Sequence, residues 1–261
     1  MASTRQTGSQ SGSQRSAART AVVWDALRDV LGQAPDDDRA LSVLDIGGGT
    51  GGFAVRVAEL GHRVTVVDPS PDALAILARR AEESGVAERV HARQGDLAGL
   101  AGLVAGADGA DGIDLVLCHG LLEIVESPRA ALATILDVLR PGGTLSLLVN
   151  QRHAAVLSRA MAGHFVSARQ LLDDTGGPDG AAGPGGARRF TAEEVRKLLD
   201  DAGFEIRALH AVRAFTDLVP SALVDLEPGA AAALVELERA VSDRPEYLAL
   251  ATQLHVLAVR R

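Results

Sequence analysis

The chain holds one cysteine, Cys118, in 261 residues. No intramolecular disulfide can form, and a reducing cytoplasm is the expected compartment. There is also one lysine, Lys197, so arginine carries nearly all the positive charge. Aromatic residues make up only 3%, which leaves Ala, Val and Leu to fill the core. Cations are in deficit: 26 Lys and Arg face 34 Asp and Glu, a net charge of -8. That argues against non-specific binding to nucleic acid, although it leaves room for a local basic patch. No apolar run is long and uninterrupted enough to span a bilayer. No basic segment followed by an apolar run suggests a secretory leader. Cys/His metal spacing, a nucleophile elbow and a separate Ser/His/Asp constellation are all missing, so no metal site is expected.

What remains is an ordinary globular balance, 47% hydrophobic and 23% charged, in a chain long enough for one large domain. Residues 1–16 are rich in Ser, Gln, Gly and Thr and read as a disordered tail. Residues 17–32 carry Val22, Val23, Leu27, Val30 and Leu31 at helical spacing. A regular alternation follows a charged linker at 33–39. Strands are expected at 41–46, 63–67, 90–93, 113–118 and 144–149, with helices at 52–59, 71–84 and 128–138. The pattern then stops. Residues 153–172 read as one helix and 173–186 as a Gly/Pro-rich loop or lid. Thr191 and Glu194 form a capping box for a helix to Ala202. Strands at 204–211 and 253–259 flank a last helix at 230–242. Short apolar strands alternating with helices imply a doubly wound α/β fold with a mostly parallel, seven-stranded sheet. An inserted helical and loop lobe follows the fifth strand. The expected division is a core at 41–149, a lobe at 150–203 and closing elements at 204–261, all within one domain at 17–261.

The first strand runs into Leu44-Asp45-Ile46-Gly47-Gly48-Gly49-Thr50-Gly51-Gly52. Glycines let the backbone turn tightly and approach a ligand with no Cβ in the way. Gly47, Gly49 and Gly52 satisfy the dinucleotide pattern G-x-G-x-x-G. Asp45, Gly47, Gly49 and Gly51 equally satisfy an acid two residues ahead of G-x-G-x-G. Asp68 ends the second strand, at the spacing where a carboxylate holds a ribose in either case. Loop and acid alone do not choose between NAD and S-adenosylmethionine.

Three further pieces resemble the methyltransferase order: Asp45 itself, Gln94-Gly95-Asp96-Leu97 after the third strand, and Leu139-Arg140-Pro141-Gly142-Gly143 before the fifth. Outside the core, the chain resembles the bacterial tRNA 5-carboxymethoxyuridine methyltransferases from about Arg19 to Arg260. The likeness rests on Arg19 with Trp24, His119, Asn150, Met161-Ala162-Gly163-His164-Phe165, Val212-Arg213-Ala214-Phe215-Thr216-Asp217, Glu236-Leu237-Glu238 and His255-Val256. The resemblance implies that Arg19, Gly47, Gly48, Asp68, Gln94, Gly95 and His119 contact S-adenosyl-L-methionine. Asp45 and Asp96 would flank the methionine and adenine ends. It further implies a tRNA partner bearing a carboxylate acceptor.

A carboxylate is already ionised at neutral pH and needs no general base. It needs a cation to orient it, and Arg213 is the first candidate, with Arg188 and Arg189 behind it. The chain departs from the resemblance at 175–186, where a lysine run is replaced by Gly, Pro and Ala. Between Asn150 and Phe215, nine Lys and Arg face eight Asp and Glu. Two other readings therefore stand beside tRNA: a small-molecule carboxylate or hydroxyl acceptor, and a non-catalytic S-adenosylmethionine-binding protein.

Overall fold

A computed structural model describes residues 19–32, 39–104, 112–172 and 187–261. The tail and the Gly/Pro-rich loop of the sequence reading lie outside these. The seven strands are β1 (Ser42–Ile46), β2 (Arg63–Asp68), β3 (Val90–Gln94), β4 (Ile113–His119), β5 (Leu139–Asn150), β6 (Phe204–Val212) and β7 (Gln253–Arg260). They form one sheet in the order β3-β2-β1-β4-β5-β7-β6. The pairs from β3 through to β5 are parallel, and β7 is antiparallel to both its neighbours. This is the mostly parallel, doubly wound sheet expected. All five residues of β1 are buried, because a parallel strand inside such a sheet is covered on both faces.

Helix α1 is described over 19–32. The others are α2 (Ala54–Glu59), α3 (Pro71–Glu83), α4 (Leu100–Val104), α5 (Pro128–Val138), α6 (Arg152–Met161), α7 (Phe165–Leu172), α8 (Ala192–Asp201), α9 (Ser221–Leu226), α10 (Ala230–Val241) and α11 (Pro245–Leu248). One core packs Leu44, Ile46, Val116, Leu145 and Val256 of the sheet against Leu132 and Ile135 of α5 and Val195 and Leu198 of α8. The opposite core packs Val43, Val64 and Leu115 against α1, α2 and α3 through Leu27, Val55 and Leu77.

Registered partners share a face, and side chains alternate along each strand. The pairs Asp45↔Leu117, Leu117↔Ser146, Leu148↔His255 and His255↔His210 therefore put Asp45, His119, Ser146, His255 and His210 on the face that α1 covers. At the other end of the strands, buried Asp114 accepts the Ser42 amide at 2.8 Å and holds Arg39 and Arg140. Burial alone would raise its carboxyl, but the amide and the two guanidinium groups keep it below its ordinary range.

Two helices depart from the sequence reading. The expected helix at 153–172 is two, α6 and α7, because Gly163 between them adopts φ 78°. A left-handed glycine closes a helix and turns the chain. The helix expected from Gly52 begins at Ala54. Short helices α4, α9 and α11 were not anticipated, being too brief to show a period. The capping box of Thr191 and Glu194 is present at α8. No helix of the described residues is long and apolar enough to cross a membrane.

Candidate active site

The glycine loop leaves β1 at the carboxyl end of the sheet, where ligands of such folds lie. Gly47, Gly49 and Gly51 adopt φ of 73°, 53° and 77°, which residues with a Cβ rarely reach. Gly48 is fixed by space: a Cβ there would stand 2.5 Å from the Asp45 carboxylate. Asp68 organises the loop from the next strand. Its Oδ2 accepts the Gly49 amide at 2.9 Å and its Oδ1 the Ser70 amide at 2.9 Å. Its carbonyl accepts Gly95 N–H at 3.2 Å, and the Gln94 amide donates to the Pro69 carbonyl at 3.3 Å. Asp96 caps the turn after β3, accepting from Ala98 and Gly99 at 3.0 and 3.4 Å. The structure thus brings Asp45, the loop, Asp68, Gln94, Gly95 and Asp96 together.

Asp45 is buried beneath the loop. Burial first, and then the Asp68 charge, push its carboxyl up to about 7. Beside the loop opens a cavity of about 530 Å³ lined by Gly47, Val67, Pro69, Asp96, Leu97 and Leu121. Its apolar walls and acidic rim suit a flat heterocycle carrying amino and hydroxyl donors. The loop's close approach and this cavity fit S-adenosylmethionine.

His119 ends β4 beside the loop. Its ring meets Phe53 edge-on at 4.7 Å, Phe53 stacks on Trp24 at 4.9 Å, and the Arg56 guanidinium lies 3.9 Å over Trp24. His119 Nε2 is 2.9 Å from Ser146 Oγ, while its Nδ1 is buried with no hydrogen-bond partner. Burial lowers its pKa to about 4, so the ring is neutral at pH 7.

A second cavity, of about 450 Å³, opens past the end of β5 between α6 and the loop after β6. Asn150, Ser158, Arg159, Arg189, Asp217 and Thr252 line it. Arg213 is the one described non-glycine residue at positive φ, 60°. Its guanidinium is paired with Asp217 and donates to Gln253 Oε1 at 3.3 Å. Arg19 lies 3.8 Å from the same Asp217. Arg188 is buried, donating to the carbonyls of Val125 and Glu126 at 2.8 and 3.1 Å. Of the three arginines nominated for the acceptor, only Arg189 lines this cavity.

Sequence reasoning missed Arg159, an ordinary helical arginine until α6 and α7 fold back on one another. It also missed Glu123, buried after β4, whose Oε1 accepts the Asn150 amide at 2.7 Å. Its Oε2 is buried without a partner, and burial raises its pKa. Nothing local marked it, since the contact joins the loop after β4 to the end of β5, 27 residues on.

Residues 17–209 match a family described as methyltransferase domain. The tRNA 5-carboxymethoxyuridine methyltransferase of Escherichia coli is 31% identical over 247 residues, covering 92% of this chain and 87% of the relative. The solved magnesium protoporphyrin IX methyltransferase of Synechocystis, with bound S-adenosylhomocysteine, has TM-score 0.55 at 16% identity, covering 95% of this chain and 83% of that one. The 4+2 cyclase SpnF has TM-score 0.58 at 23% identity, covering 90% and 81%. The two structures share the fold, which one of them uses for different chemistry. With the family match, the near full-length relative and the acid-flanked glycine loop, the chain belongs to the S-adenosylmethionine-dependent methyltransferases.

Proposed function

We propose that this enzyme transfers a methyl group to a carboxylate carried by tRNA, the 5-carboxymethoxy group of a wobble uridine. The observation that carries this reading is the second cavity, where Arg159 and Arg189 stand with Asn150 and Thr252. Arginine suits a carboxylate because its fork can give two parallel hydrogen bonds. The relative's activity supports the same choice. So does the α6–α7 hairpin: residues 150–172 hold three arginines and no acid in a chain of net charge -8. Met161, Phe165 and Val166 of that hairpin are exposed, and an aromatic face such as that of Phe165 is one on which a base stacks.

S-adenosylmethionine, when bound, supplies an electrophilic methyl on a sulfonium. Gly47, Gly48, Gly49 and Gly51 admit its close approach, Asp68 accepts from the ribose hydroxyls, and Gln94, Gly95 and Asp96 border the adenine. Arg19 and Asp45 serve the methionine end, with His119 beside them. Arg159 and Arg189 orient the acceptor, and Arg213 holds Asp217 on the cavity wall. No base is required, so alignment and exclusion of water supply the rate. In this reading 41–149 is the cofactor core and 150–203 the acceptor lobe, closed by 204–261.

The test is incubation with labelled cofactor and tRNA from cells lacking this gene. Label should enter the wobble uridine as an ester that mild alkali releases. A small-molecule acceptor, which the acidic net charge favours, predicts an unlabelled tRNA fraction. No transfer to any acceptor would leave a cofactor-binding protein only.

A further inference from the structure

Three of the chain's seven histidines lie in one row through the sheet. From His119 Nε2 it is 2.9 Å to Ser146 Oγ, and 2.9 Å from there to His255 Nε2. His255 Nδ1 is 3.2 Å from His210 Nδ1, and His210 Nε2 is 3.5 Å from Asp243 Oδ1. The row crosses β4, β5, β7 and β6 beneath α1 and α10. Ser146 and His255 are fully buried, whereas the Asp243 side chain is 81% exposed. Apolar residues would fill this layer without the cost of burying polar atoms.

We propose that Ser146, His255, His210 and Asp243 are positioning residues for His119. They fix its ring as the tautomer with the proton on Nε2 and hold the Nδ1 lone pair free, on the ring's other side, for an N–H donor of the cofactor. The assignment rests on the reading of His119 as a cofactor contact.

The direction follows from the anion at the far end. Burial keeps all three rings neutral at pH 7, so each has one donor and one acceptor nitrogen. The charged groups acting on His210 are Asp243 and, from α1, Asp29. The Asp243 carboxylate, 3.5 Å from His210 Nε2, favours the proton on that nitrogen, so His210 Nδ1 accepts from His255 Nδ1–H. His255 Nε2 then accepts the Ser146 hydroxyl, and Ser146 Oγ accepts His119 Nε2–H. The reverse direction would turn a lone pair of His210 towards a carboxylate. A ring's free nitrogen is set by the bond its other nitrogen makes. His119 Nδ1 is therefore an acceptor, and it is the buried ring nitrogen for which the described residues provide no partner.

The test reads the tautomer directly. The full chain is labelled with ¹⁵N-histidine, and His119 is assigned by loss of its signals in His119→Gln. Wild type without ligand should show Nε2 protonated and Nδ1 bare. Ser146→Ala should give mixed tautomers and bind S-adenosylhomocysteine about tenfold more weakly, the effect of one hydrogen bond. Ser146→Thr keeps the hydroxyl and should restore both. Asp243→Asn, at an exposed site, should loosen the preference without affecting folding. A proton on Nδ1 in wild type, or an unchanged tautomer in Ser146→Ala, would overturn the assignment. His119 signals that stay still while S-adenosylhomocysteine saturates the protein would instead remove the cofactor contact on which it rests.

Discussion

One carboxylate oxygen of Glu238 accepts both the amide of Thr216, at 2.7 Å, and its hydroxyl, at 2.6 Å. The same side chain takes the amides of Ala214 and Phe215 at 2.9 and 3.0 Å, and it is fully buried. Helix α10 thereby pins the turn that carries Arg213 and Asp217 beside the second cavity. Glu238→Ala leaves these amides unpaired, and each buried orphan costs about 1–3 kcal/mol. Urea unfolding should show a loss of about 3 kcal/mol, with a smaller loss for Glu238→Gln, which keeps one acceptor oxygen. Stability equal to wild type would mean that the turn holds without α10.

Asp45 should make cofactor binding pH-dependent. Its folded pKa of about 7 is above the ordinary 3.8, so the folded state binds its proton more tightly than the unfolded chain does. Its contribution to stability is therefore complete at low pH and is lost as pH rises from about 4 to 7. Asp45→Asn should gain stability relative to wild type across that window and level off above it. The cofactor's positive methionine end favours the ionised form, so wild-type affinity should rise from pH 6 to pH 8. Calorimetry should find that rise flattened in Asp45→Asn, and parallel profiles would remove Asp45 from the site.

Asp68→Asn should weaken S-adenosylhomocysteine binding while leaving the fold intact. Losing a charged acceptor costs about 1.5–3 kcal/mol, roughly one to two decades of affinity. Unchanged affinity would leave Asp68 only its main-chain bonds to Gly49 and Ser70.

Arg189→Ala should lower turnover of the carboxylate acceptor on the order of 10²-fold, the scale of a misplaced reacting group. Cofactor affinity should not change. Arg213→Ala should have a smaller effect, about tenfold, because it acts through Asp217. A larger loss in Arg213→Ala than in Arg189→Ala would return the acceptor contact to Arg213.

The cluster around the glycine loop, proposed for the cofactor, was legible in sequence. Asp45, the glycines, Asp68 and Gln94-Gly95-Asp96 each lie within a few residues of a strand end, so chain order alone brings them together. The second cavity was not. Arg213 reads as a free cation until Asp217 and Gln253 are placed against it. Arg188 and Arg189 are neighbours in the chain, yet one ties down carbonyls of a distant loop while the other lines a cavity. Such outcomes depend on how β6, β7 and α6 pack, which no local pattern encodes. Gly163 could have been read as a helix end, but the apolar spacing continues through it. The histidine row was out of reach for the same reason as Glu123: its members, from 119 to 255, meet only across strands.

The place of β7 between β5 and β6 has a consequence for how the chain is made. Translation delivers β6 well before β7, yet among the described residues β6 pairs only with β7. Until β7 emerges, the nascent chain presents the open flank of β5 and a lone strand in search of hydrogen bonds. Vectorial folding can complete the parallel part of the sheet, β1 to β5, on the ribosome, but the antiparallel flank must wait. Ribosome stalling or premature termination ahead of Gln253 would therefore release a species with its loop and Asp68 formed and its sheet unfinished. Such a species is an expected client for chaperones, and a source of self-association.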